Sequence, residues 1–106
     1  MFDTQLMGKA EEILSIGRER HLRIAAAESC TGGLIAALLT EIPGSSSVIG
    51  RSFVTYSNRA KREVLGVDVD ILKEHGAVSE AVVRAMARNT FNMTTAHLTV
   101  AVSGIA

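Results

Sequence analysis

The chain has 106 residues, 47% of them hydrophobic and only 4% aromatic, and its 11 Lys and Arg balance 11 Asp and Glu. That length suits one domain with a modest core. The neutral balance without a basic tract, and the scarcity of aromatics, argue against a nucleic-acid partner, while apolar runs far shorter than a membrane span argue against a membrane one.

The N-terminus carries Asp3, Glu11 and Glu12 where a signal peptide would be basic and then apolar. The single cysteine, Cys30, cannot form an internal disulfide, so a reducing cytoplasmic setting is expected. Residues 2–20 read as an amphipathic helix, with Leu6, Ala10, Ile13 and Leu14 on one face and Gly17 weakening its end. Residues 22–27 are a short apolar run and read as the first strand. Residues 31–40 read as a helix, on the pairs Leu34/Leu38 and Ile35/Leu39, stopped by Ile42-Pro43-Gly44. After the polar loop Ser45-Ser46-Ser47, residues 48–56 read as a second strand, rich in β-branched and aromatic types, with a bulge expected at Gly50.

Ser57 or Asn58 can cap a short helix over 59–65, closed by Gly66. Asp68 can cap another through Leu72 to His75, closed by Gly76. A longer helix starts at Ser79, with Glu80 favouring its dipole, and continues on Val82/Met86 and Val83/Ala87/Phe91 to about Asn92. Residues 98–102 are the third strand. Strands alternating with helices predict an α/β layered domain with at least partly parallel strands. Right-handed crossovers then place the ends of strands one and three at one sheet edge, where ligands bind in such folds. A parallel second strand would bring Tyr56 there as well.

The stretch Ala27-Glu28-Ser29-Cys30-Thr31-Gly32-Gly33 forms the strand-to-helix turn at that edge. Ser29 has two readings. It can be a helix cap, accepting a backbone N–H, or a nucleophile, with N–H groups of Thr31, Gly32 and Gly33 holding an oxyanion or a phosphate. Cys30 beside it is either a small packed residue or a rival nucleophile at a helix start. Lys61 is either a solvated helix lysine or, desolvated in the first turn of its helix, a base. Tyr56 is either a core ring or a proton relay. His21, His75 and His97 form no cluster, and no metal-ligand spacing is present.

Taken together, Ala27–Gly33, Pro43-Gly44-Ser45-Ser46, Thr55-Tyr56-Ser57-Asn58 with Lys61, Leu65-Gly66-Val67, Gly76-Ala77-Val78-Ser79-Glu80 and Ser103-Gly104-Ile105-Ala106 resemble the CinA C-terminal domain family in order and along the whole chain. The resemblance implies a three-layer α/β/α sandwich with a mixed, mostly parallel sheet. It implies a nicotinamide-nucleotide amidohydrolase that turns nicotinamide mononucleotide into nicotinate mononucleotide and ammonia, without cofactor or metal. Ser29, Tyr56 and Lys61 match the family's catalytic residues. Ser103 and Gly104 match its substrate-binding motif, and Cys30, Thr31, Gly32 and Gly33 supply the substrate-binding turn. The family is commonly dimeric, so a homo-oligomer acting on a small nucleotide is expected. In the family Gly-Ile-Ala runs on into Gly-Pro and further strands, so residues 1–106 are expected to be one domain lacking its C-terminal part. The alternative is a non-catalytic nucleotide-binding or inactive truncated domain.

Overall fold

The apolar run after the first helix becomes β1 (Ile24–Glu28), with all five residues buried. A strand without alternation must be covered on both faces, and it is. In a computed structural model, which describes residues 1–105, β1 is the middle of a sheet of order β2-β1-β3. Here β2 is Ile49–Val54 and β3 is Leu98–Val102. Both pair with β1 in parallel. Ala106, the last residue of the Ser-Gly-Ile-Ala stretch, lies outside the described residues.

Helices α1 (Thr4–Glu19) and α2 (Leu34–Thr40) lie on one face. On the other are α3 (Asn58–Leu65), α4 (Val69–His75) and α5 (Glu80–Met93). The sheet thus separates two cores. Ala10, Leu14, Leu39, Ile42 and Val48 gather around Ile24, and Leu65, Val67, Leu72, Val82 and Met86 around Ala27. This is the expected α/β layering. No helix among the described residues is long and apolar enough to cross a membrane. An apolar face lies open on β3. Leu98 and Val100 share Ile24's side of the sheet through their register with β1, yet they are 53% and 40% exposed.

Caps fall where the sequence places them. Ser57 Oγ accepts the Ala60 N–H, Asp68 Oδ1 the Asp70 N–H and Ser79 Oγ the Val82 N–H. Gly66 closes α3 with a positive φ of 65°. Three boundaries differ from expectation. Leu22 does not start the first strand; its N–H bonds the Gly17 carbonyl at 2.8 Å and that of His21 bonds Arg18 at 3.2 Å. With His21 at φ 54°, this is a left-handed helix closure that normally uses glycine, so nothing in the sequence marked it. The second helix begins at Leu34 rather than at residue 31, because Gly32 and Gly33 take φ of 60° and 110°, outside the right-handed helical region. The second strand stops at Val54 because β1 ends at Glu28, whose carbonyl accepts the Thr55 N–H at 2.8 Å.

The bulge expected at Gly50 is present. Ile24 pairs with Ile49 and Ala25 with Arg51, so Gly50 is skipped. One skipped residue reverses the side-chain alternation of everything after it. Ile49 therefore packs with the α1/α2 core while Phe53 packs with the other.

Glu28 ties β1 to α2. Its side chain lies on the α2 side of the sheet, fully buried. Oε1 accepts the Thr31 hydroxyl at 2.6 Å and the Ile35 N–H at 2.9 Å, and Oε2 accepts the Ala36 N–H at 2.9 Å. The residue at the α2 cap position, Gly33, has no side chain to offer, so the carboxylate seven residues before Ile35 caps the helix instead. Burial pushes this carboxyl up, but the hydrogen bonds from Thr31, Ala36, Ile35 and Gly33 together hold it below the ordinary glutamate value.

Two stability outcomes are expected. A Cβ on Gly17 would sit 2.7 Å from Val48 Cγ1. Gly17→Ala therefore loses about 1–3 kcal/mol to overpacking, despite gaining about 1 kcal/mol of helix propensity. In a Val48→Ala background the same change becomes neutral or stabilising; urea denaturation of the four proteins measures the reversal, and equal effects in both backgrounds would refute the clash. For Glu28 the folded carboxyl titrates below its unfolded value, so its contribution is present above the ordinary value of 4.5 and is lost as pH falls through the folded one. Glu28→Gln loses about 2 kcal/mol at pH 7, and its urea midpoint falls less steeply on acidification than that of the wild type. Identical acid limbs would remove Glu28 from this role.

Candidate active site

Ser29 is the first residue beyond the sheet. Its N–H still bonds the Val102 carbonyl of β3 at 3.0 Å, while Glu28 just before it holds Thr55 after β2. All three parallel strands therefore deliver their following turns to one edge, including Tyr56. The chain then turns into α3, whose first turn is set by the Ser57 cap. Lys61 and Leu65, one turn apart, both point inward.

Lys61 is 1% exposed and Ser29 6%. Lys61 Nζ donates to Ser29 Oγ at 3.0 Å and to the Tyr56 carbonyl at 3.1 Å. The Ser29 hydroxyl also lies 3.4 Å from that carbonyl. Of the two readings of Ser29, the cap is excluded: the α2 cap position is Gly33, and the hydroxyl faces α3. Lys61 is not a solvated helix lysine either. Among the described residues no carboxylate lies within ion-pair distance of it. Burial pushes its ammonium below the ordinary lysine value, opposed by the neighbouring Cys30 sulfur. When the amine is neutral its lone pair can accept the Ser29 proton across the same 3.0 Å contact. This arrangement can generate a serine alkoxide without histidine.

The remaining candidates are arranged around this pair. Tyr56 is 63% exposed, so it is not a core ring; its backbone carbonyl is the group that holds Lys61. Cys30 is half-buried, and a Cβ on Gly104 would lie 3.3 Å from its sulfur, a closeness that only glycine permits with ease. Ser103 sits at the same edge, with its hydroxyl donated to Ala77 at 2.9 Å. In the turn, the Gly32 N–H bonds Ser29 O at 3.0 Å and that of Gly33 leans on Glu28. Among the described residues, the Cys30 and Thr31 N–H groups have no acceptor. Sequence reasoning assigned no role to Glu28. The available signal was a carboxylate ending an apolar strand ahead of a helix that starts on glycine. His97 lies at the opposite sheet edge, where Nδ1 accepts the Arg23 N–H at 2.8 Å.

Comparison with known proteins shows the family and the fold. The chain is similar to the nicotinamide-nucleotide amidohydrolase PncC of Escherichia coli (strain K12), 44% identical over 100% of this chain and 64% of that protein. It is also similar to a putative competence-damage inducible protein of Symbiobacterium thermophilum, 50% identical over 99% of this chain and 26% of the relative. Among solved structures, the competence/damage inducible protein CihA from Agrobacterium tumefaciens superposes with a TM-score of 0.97 at 45% identity, over 99% of this chain and 64% of that one. A CinA superfamily protein from Escherichia coli superposes with a TM-score of 0.91 at 28% identity, over 98% and 62%. The chain thus spans between a quarter and just under two thirds of these relatives. The family model described as the CinA C-terminal domain matches residues 7–106, and the chain belongs to that family.

Proposed function

We propose that the chain carries the nucleophile–base half of a nicotinamide-nucleotide amidohydrolase. The observation that supports this most directly is the buried Lys61, without a carboxylate partner, 3.0 Å from Ser29 Oγ. The name of the PncC relative points to a nicotinamide nucleotide as substrate, and the resemblance to the CinA C-terminal domain family narrows it to nicotinamide mononucleotide. Neutral Lys61 takes the Ser29 proton as Oγ bonds to the carboxamide carbon. The oxyanion is held by the open Cys30 and Thr31 N–H groups. Lys61 then returns the proton to the departing nitrogen, the C–N bond breaks and ammonia leaves. Water attacks the resulting ester with Lys61 again as base, giving nicotinate mononucleotide and free Ser29. The Tyr56 carbonyl keeps Nζ aimed, and Ser103 and Gly104 wall the site beside Cys30.

A second reading is a nucleotide-binding module in which the open Cys30 and Thr31 N–H groups hold an anion without catalysis. Ammonia release from nicotinamide mononucleotide, together with calorimetry, decides between them. Turnover supports the hydrolase; binding without ammonia supports the module.

In a turning-over protein, Ser29→Ala lowers the rate by about a thousandfold or more; undiminished activity would remove Ser29 from the chemistry. Lys61→Met abolishes ammonia release yet leaves the thermal midpoint unchanged or higher, because a buried unpaired cation is replaced by an apolar chain of similar length. The catalytic form of Lys61 is the neutral one, so kcat/KM rises with pH through a value below 10.5, the ordinary lysine value. Folding stability rises with pH in the same window, since the folded lysine binds its proton less tightly than the unfolded one. A rate independent of pH up to 10.5 would count against Lys61 as base.

A further inference from the structure

At the opposite edge of the sheet, where the strands begin, α5 ends above a crevice of about 380 Å³. The Gly50 bulge has a consequence here. By reversing the alternation of β2 it turns Arg51 to the side of Ala25, beneath α5. Regular pairing would have put Arg51 on the α1/α2 face. Arg23, just before β1, lines the same crevice, as do Asn92, Thr94 and Thr95.

Each guanidinium is anchored by one backbone carbonyl. Arg51 Nη1 donates to Met93 O at 3.3 Å, and Arg23 Nη1 to Ser46 O at 3.1 Å. The backbone N–H of Arg23 is fixed in turn by His97. A guanidinium carries more N–H donors than one carbonyl uses, so both arginines keep donors for a further acceptor. Neither forms an ion pair with a carboxylate among the described residues. The bond to Met93 O also covers a carbonyl of the negative α5 terminus, which would otherwise repel an anion.

Two arginines without counter-charge line a cavity far larger than a tetrahedral oxyanion, with an amide and hydroxyls on the same wall, and match a phosphorylated small molecule. We propose that this crevice binds a small phosphate monoester, with Arg23 and Arg51 on the phosphate and Asn92, Thr94 and Thr95 facing the polar body. The site lies across the sheet from Ser29 and Lys61 and is independent of their chemistry.

Ribose 5-phosphate, ribose and inorganic phosphate are titrated calorimetrically into the full chain, its Arg23→Ala and Arg51→Ala variants, and Ser29→Ala. Both arginines are exposed, so the variants keep the wild-type thermal midpoint, checked by circular dichroism. The expected result is saturable binding of ribose 5-phosphate, none of ribose, and weaker binding of inorganic phosphate. Each arginine variant weakens the ester tenfold or more, while Ser29→Ala leaves it unchanged. Absence of binding overturns the proposal, as does binding indifferent to both arginine changes. Inorganic phosphate binding as tightly as the ester would overturn the assignment to a monoester. An arginine variant that loses its fold is replaced by Arg51→Lys, which keeps the charge but loses the planar fork; it must bind the ester more weakly than wild type, and equal binding overturns the role of Arg51.

Discussion

The buried carboxylate of Glu28 is the constraint on which the site depends. A charged group with no exposure is tolerated only when its oxygens are fully engaged, and Glu28 engages them with Thr31, Ile35 and Ala36. These bonds hold the start of α2 over the end of β1 and draw the left-handed Gly32-Gly33 turn tight. Ser29 is the first of the three residues between the carboxylate and that turn. Its place at the mouth of the sheet follows from the cap, not from any preference of serine.

Engagement of Glu28 with α2 also leaves Lys61 without a counter-charge. The two groups approach the end of β1 from opposite layers, and the carboxylate's acceptors are already occupied. A lysine held by a serine hydroxyl and a carbonyl has hydrogen bonds but no ion pair. Burial then acts on it against no carboxylate and only the smaller opposing pull of Cys30, which favours the neutral amine that a base requires. Stability and reactivity pull against each other at this residue.

The two edges of the sheet are organised by related devices. At the end of β1, two left-handed glycines interrupt the passage into α2 and leave backbone N–H groups open. At the start of β2, one skipped glycine moves Arg51 to the α5 side. In both places a local departure from regular structure sets the direction of a polar group, while apolar packing on either side of β1 holds the frame.

Much of the layout was legible in the residues. The order of strands and helices, the caps at Ser57, Asp68 and Ser79, the closure at Gly66 and the bulge at Gly50 are local events, governed by periodicity and by side chains acting within a few positions of themselves. The ordered motifs also pointed to the family. What the sequence could not decide involved partners far apart in the chain. On spacing alone Ser29 read first as a cap, until the cap position fell to Gly33. Lys61 read as solvated until α3 packed on the sheet and brought its amine to a residue 32 positions earlier. Tyr56 carried a promising hydroxyl, but its carbonyl makes the contact. The left-handed His21 had no glycine to announce it. Local chemistry and pattern therefore determined which elements form and in what order. Burial and long-range hydrogen bonding, which exist only once the layers pack, decided which serine faces which lysine.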